Sequence, residues 1–245
     1  MSNPVINRLD EYQRLENDSS TVMTVSGTMT SFFILSLLLL LPAAITWNWA
    51  ALHYMDRVYA MTTIGAVAGF ILAIVLAFVP KFAPFLAPLY AVCEGMLVGG
   101  LSAVFEMQFP GIVVQAVSAT LAVCFVMFAL YKTRIIKVTE KFRAVIISAT
   151  LAIMLLYLVN LIMVLFHFNA LSNFLWSSHP VSIGISIVIC LVAAFNLILD
   201  FDIIERFSQY SAPKYMNWYC AFGLMVTVVW LYLEILRLIS KFNRR

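Results

Sequence analysis

Charge is what this chain has least of. Only 11% of its 245 residues are Asp, Glu, Lys or Arg, while 63% are hydrophobic. A soluble domain is roughly half apolar and about a quarter charged. No water-soluble core could hide this much apolar surface, so the composition implies an integral membrane protein. Most of the length is spanning segment, which leaves no room for a separate soluble domain. The net charge of +3 is small. The basic residues therefore read as topology signals, and no nucleic-acid partner is expected.

The parts needed for common catalysis are missing as well. There is no H-E-x-x-H, no G-x-S-x-G and no Walker loop. An intramembrane aspartyl protease would need a Gly-flanked motif, and Asp200-Phe201-Asp202 has no Gly beside it. A retinal protein would need a lysine in the middle of its last helix, whereas Lys214 and Lys241 lie at the two ends of that segment. The reading is therefore not an enzyme, with no tightly bound cofactor. Cys93, Cys124, Cys190 and Cys220 all fall in apolar segments without C-x-x-C spacing. They read as small buried hydrophobes rather than disulfide or metal partners.

What is present is a series of long apolar runs. A spanning helix needs about 20 mostly apolar residues. Seven stretches qualify, near 27–48, 59–80, 84–105, 110–131, 143–167, 180–204 and 217–240. The expected fold is an all-α membrane protein, a seven-transmembrane-helix bundle over 23–245. It follows a polar leader, 1–22, whose Val5, Leu9, Tyr12 and Leu15 have the spacing of a weakly amphipathic interfacial helix. The leader has neither a basic n-region nor a clear cleavage site, so the first run is expected to be retained.

Lys and Arg counted loop by loop set the orientation. One side collects Arg8, Arg14, Lys81, Lys132, Arg134, Lys137, Lys141, Arg143, Arg206 and Lys214. The other has Arg57 in its loops and Arg237, Lys241, Arg244 and Arg245 at the C-terminus. The loops predict a cytoplasmic N-terminus and an external C-terminus. The basic tail speaks against this, with a re-entrant last segment as the fallback. Trp47, Trp49, Trp176, Tyr215, Trp218 and Tyr219 read as interface anchors. His53, His167 and His179 fall on the outer side and read as interfacial residues without a shared role. Gly65–Gly69 and Gly95–Gly99 match G-x-x-x-G, a spacing that lets helix backbones approach closely.

Against this background, Glu94, Asp200 and Glu234 stand out. Carboxylates at bilayer depth are costly and usually face a bundle interior or a wet path. Ser182, Ser186, Cys190, Ala193, Asn196 and Asp200 recur at steps of three or four, on one face of the sixth helix. Asp202 and Glu205 follow, at the expected cytoplasmic mouth. The seventh helix carries Cys220, Gly223, Thr227, Glu234 and Arg237 on one face, and Glu234 and Arg237 are close enough in sequence to pair. Ser102 shares a face with Glu94, and Gln115 and Asn160 are buried amides able to bridge helices. Arg237 is the one plausible base among three acids. A carboxylate without a cation nearby, taken out of water, favours its protonated form. Two close together can share one proton. Such a pair would tie two helices together when protonated. When ionised it would offer oxygen ligands to Ca²⁺.

Leu199-Asp200-Phe201-Asp202-Ile203-Ile204, Leu231-Tyr232-Leu233-Glu234-Ile235-Leu236 and Tyr90-Ala91-Val92-Cys93-Glu94-Gly95 resemble motifs of the Bax inhibitor motif family, more narrowly its bacterial branch. The resemblance spans nearly the whole chain. It implies a seven-helix bundle with an enclosed seventh helix. It also implies a pH-sensitive Ca²⁺ leak, with Ca²⁺ as the permeant ion, in the bacterial inner membrane. Its two controlling aspartates match Asp200 and Glu234, and its basic latch would fall on Lys81. One departure concerns distance. If the sixth helix runs straight to Gln209 and the seventh starts at Pro213, Asp200 lies opposite Phe222. Glu234 is then about 18 Å further along, at 1.5 Å per residue. In that case the two acids are separate stations, and no proton is shared.

Three functions remain open on sequence grounds. They are a pH-modulated cation leak, a proton-coupled cation exchanger on the same carboxylates, and a non-conducting regulator of membrane proteases or stress responses. The partners are accordingly the lipid bilayer, cations and protons, or a membrane protease.

Overall fold

The computed structural model describes residues 22–244. The leader reading, including the interfacial helix, lies outside the described residues but for Val22. Seven long helices follow: α1 Val25–Ala51, α2 Met55–Phe78, α3 Ala83–Gln108, α4 Ile112–Lys132, α5 Glu140–Leu165, α6 Pro180–Gln209 and α7 Met216–Asn243. Each is long and apolar enough to cross a bilayer. A 3₁₀ turn, Pro80–Phe82, and a six-residue helix, Ala170–Leu175, are the two shorter elements. The sequence pattern does not reveal the second of these, because six residues are too few to show a period.

The helix ends have local causes. Thr24 caps α1 by accepting from the Gly27 amide at 2.9 Å, and Thr139 caps α5 through the Phe142 amide at 3.2 Å. α2 stops short of Pro80, because Val79 before the proline has left the helical region, at φ −131° and ψ 71°. Between α3 and α4, Gly111 takes φ +85°, which a side chain would resist. There Glu106 accepts from the Gly111 amide at 2.6 Å and the Val113 amide at 3.1 Å. A carboxylate thus meets the unpaired amides at the start of α4.

α7 packs against α1, α3, α4 and α6, and it is the enclosed helix the sequence resemblance implies. It is one continuous 28-residue helix, so the last segment is not re-entrant. α3 holds α1 and α2 through its small residues. A Cβ added at Gly95 would stand 2.1 Å from the Leu39 carbonyl oxygen of α1, and one at Gly99 2.5 Å from Ala43 Cα. At Gly65 of α2 it would lie 2.5 Å from the Cys93 carbonyl oxygen of α3. Both G-x-x-x-G pairs are therefore helix-crossing points.

α5 is held differently. Its one fully buried residue is Ile146, and it packs on α6 and the short helix. Arg143, Thr150 and Tyr157 recur every seven residues along the side of α5 that meets the bundle. They bond to Asp202, to Asn196, and to Glu234 with Arg237 respectively. Polar clamps on a heptad seam thus do for α5 what close backbone approach at small residues does for α1, α2 and α3.

The crossing points give a direct test. Gly95→Ala should destabilise the protein by about 1–3 kcal/mol, the usual cost of overpacking. Gly184→Ala meets open space and should be neutral or mildly stabilising. Thermal unfolding of the two variants in one detergent checks the contrast.

Candidate functional site

α6 and α7 form an antiparallel hairpin, and their facing polar residues sort into three groups along its length. The middle group is centred on Asp200. Its Oδ2 is enclosed and has no hydrogen-bond partner among the described residues. Thr227 and Cys220 of α7 face it. The Thr227 hydroxyl, however, donates to the Gly223 carbonyl at 3.2 Å. About one turn along α6 from this carboxyl, Asn196 donates to Thr150 Oγ1 at 2.8 Å and to the Val192 carbonyl at 2.9 Å.

The second group lies nearer the end of α7. Glu234 is 2% exposed, so whether it is neutralised decides its chemistry. Arg237 Nη1 stands 3.2 Å from both of its oxygens, and the Tyr157 hydroxyl donates to Oε1 at 2.6 Å. Arg237 also donates to the Tyr157 hydroxyl oxygen at 2.7 Å and lies 4.8 Å from the Trp176 ring centre. Two helical turns on, Lys241 is almost wholly buried. Its Nζ donates to Ser182 Oγ at 2.9 Å, the Ser182 carbonyl at 3.1 Å and Ser186 Oγ at 2.6 Å. All three ammonium protons thus have acceptors.

The third group closes the opposite end. Asp202 accepts from Arg143 at 2.7 Å and Arg206 at 2.8 Å. Glu205 accepts from the Tyr131 hydroxyl and lies 4.0 Å from Arg134.

The structure does not bring Asp200 and Glu234 together. α6 runs to Gln209 and α7 begins at Met216. Asp200 therefore faces the Cys220–Thr227 level. Glu234 is about 10 Å beyond Thr227 along the helix axis, with its oxygens already taken. The shared-proton lock and a Ca²⁺ ion held by both acids, for which Ca–O distances of about 2.3–2.6 Å are needed, are absent from this conformation. Among the described residues no three His, Cys, Asp or Glu side chains cluster as a metal site.

Other expected residues also move. Lys81 is exposed and in no ion pair among the described residues, so it latches nothing. The reason is its place on the short 3₁₀ turn between α2 and α3, where its side chain is exposed. The guanidinium that pairs with a buried acid of α7 is Arg237, as the sequence spacing predicts. Glu94 is buried at the α2–α3 crossing. Its Oε2 lies 3.5 Å from the point where a Gly69 Cβ would stand, and Tyr90 is its polar neighbour. Asn160 Oδ1 is buried without a partner among the described residues, whereas Gln115, expected to be buried, is exposed on α4 and bridges no helices among the described residues. Trp176 does more than anchor the interface, since it stacks on Arg237 and, at 6.0 Å between ring centres, on Phe105.

With this geometry in hand, the family sequence model described as Bax inhibitor 1 like matches residues 3–244, nearly the whole chain. The chain belongs to that family. Searches of curated proteins and of solved structures return no significant match. This Bax inhibitor 1-like protein is thus an integral membrane protein with seven spanning helices.

Sequence reasoning missed Tyr157, Lys241 and Asn217. The seven-residue spacing of Arg143, Thr150 and Tyr157 was a usable signal for the first. Lys241 reads as a tail charge until the Ser182–Ser186 stripe is seen to end opposite it. Asn217 Oδ1 accepts from the Thr24 amide at 3.1 Å and the Thr28 hydroxyl at 3.2 Å, fastening the start of α1 to α7. Nothing in its neighbourhood predicts that.

The clamp on α5 is testable. Tyr157→Phe removes the hydroxyl shared by Glu234 and Arg237. It should cost about 1.5–3 kcal/mol, the range for hydrogen bonds to charged groups. Hydrogen exchange in α5 should rise while exchange in α3 stays as in wild type.

Proposed function

We propose that this protein is a pH-sensitive cation leak, with Ca²⁺ the expected ion, in which Asp200 is the titrating element. One observation carries the reading: a carboxyl between α6 and α7 whose Oδ2 is enclosed and without a partner among the described residues. Protonated, such a group presents nothing a cation can use. Ionised, it supplies negative charge and hard oxygen ligands, in surroundings where Coulomb attraction is far stronger than in water.

Glu234 has a different part in this proposal. Arg237 already balances its charge, so it serves as a structural clamp with Tyr157. Lys241, beside that balanced pair, leaves one net positive charge at that end of the bundle, which opposes a passing cation. The conformation described is therefore closed. Opening requires the α5 clamps to release and Arg237 to swing aside. At the opposite end, Asp202, two residues from Asp200 in sequence, lines a cavity of about 770 Å³.

The proposed setting is the bacterial inner membrane with the start of α1 in the cytoplasm. The basic α4–α5 connection supports this orientation. So does the burial of Lys241 and the pairing of Arg237, since charges taken into the bundle no longer act as loop signals. The tail's objection to an external C-terminus falls away to that extent. A second reading, a non-conducting regulator, draws support from the exposed Arg134 in the same connection.

Ca²⁺ flux into liposomes across pH separates these readings. Raising the pH removes the proton from Asp200, so flux should rise with pH. Asp200→Asn should leave it low and flat. Glu234→Gln should shift the basal flux while keeping its pH dependence. Stoichiometric proton counterflow would instead mark an exchanger. Wild-type flux no greater than that of empty liposomes would overturn the leak and favour the regulator.

A further inference from the structure

The 770 Å³ cavity has a chemistry that ion conduction does not use. It lies where α1 begins and where α4 and α6 end. Met29, Phe128 and Phe201 give it an apolar floor, and Lys132, Arg134, Lys137 and Arg206 line its rim. Asp202 and Glu205 are its two acids, and both are engaged. Asp202 is held by Arg143 and Arg206, and Glu205 by the Tyr131 hydroxyl with Arg134 nearby. Lys132 and Lys137 make no ion pair among the described residues. Among the described residues, the cavity thus pairs unbalanced positive charge with exposed apolar surface. It does so where three spanning helices end, which is the depth of the lipid headgroups.

We propose that this cavity binds an anionic membrane lipid, with the phosphate on Lys132 and Lys137 and the first part of an acyl chain on Met29 and Phe201. A topology signal alone needs basic residues only somewhere in the connection. Here a tight turn closed by Arg134 in the left-handed region, φ 55°, brings the end of α4 and the following segment round one hollow. A soluble phosphate would satisfy the lysines but leave the apolar floor wet. A zwitterionic lipid would cover the floor but bring its own cation to the rim. Only an amphiphile with net negative charge meets both walls, and basic pockets between spanning helices are suited to such heads.

The test uses the full chain in detergent, with bound adducts read by native mass spectrometry. Short-chain phosphatidylglycerol, short-chain phosphatidylcholine and inorganic phosphate are titrated separately. The expected result is one phosphatidylglycerol site, with the other two probes at least about tenfold weaker. A lysine near an anionic group contributes about fivefold in affinity, so K132Q/K137Q should weaken binding about thirtyfold. Lys81→Gln, an exposed lysine outside the cavity, should leave binding unchanged. Equal affinity for phosphatidylcholine would overturn the proposal, as would unchanged binding by K132Q/K137Q. Phosphate binding as tight as the lipid's would replace it with a soluble-anion site. The comparison of the three probes on wild-type protein decides the matter even if the double variant fails to fold.

Discussion

A charge carried into a bilayer must find a partner or lose its charge, and the α6–α7 hairpin is built around that requirement. Lys241 is met by Ser182 and Ser186. Glu234 is met by Arg237 and Tyr157. Asp202 is met by two guanidiniums. Asp200 Oδ2, with no partner among the described residues, is the exception. Desolvated carboxyl groups without partners are costly, and the proposed leak gives this one a use.

The same requirement explains how α5 is attached. Lipid tails are as apolar as a helix surface, so burying Leu and Ile against neighbours gains little in a membrane. Small residues solve the problem for α1, α2 and α3 by letting backbones touch. α5 has no such glycines, and its attachment rests on Arg143, Thr150 and Tyr157. Each of these bonds ends on a residue of the α6–α7 hairpin. In the proposed leak, α5 is the helix whose attachment depends most on the charge state of that hairpin.

Much of this was legible in the sequence. The seven spans, their ends at Pro80 and Gly111, and the small-residue crossings follow from apolar run length and from residues with fixed backbone preferences. The offset between Asp200 and Glu234 was also readable, since a straight hairpin fixes which residues lie opposite one another. What could not be read was partner choice. Glu234 lies on α7 with Arg237, yet its other partner, Tyr157, is on a helix far away in sequence. Lys241 looks like a tail charge because nothing local announces that Ser182 and Ser186 wait for it. Family resemblance pointed the latch to Lys81, a residue the fold leaves outside the bundle. Distance along the chain constrains register well and side-chain pairing across helices poorly.

In the proposed leak, Asp200 changes its protonation within the bundle. Infrared difference spectroscopy of the protein in bilayers, taken across pH, tests it most directly. The expected spectrum has a protonated-carboxyl band that disappears as the pH rises, is absent in Asp200→Asn and persists in Tyr157→Phe. A spectrum with no such band, or one that Asp200→Asn leaves intact, would contradict it.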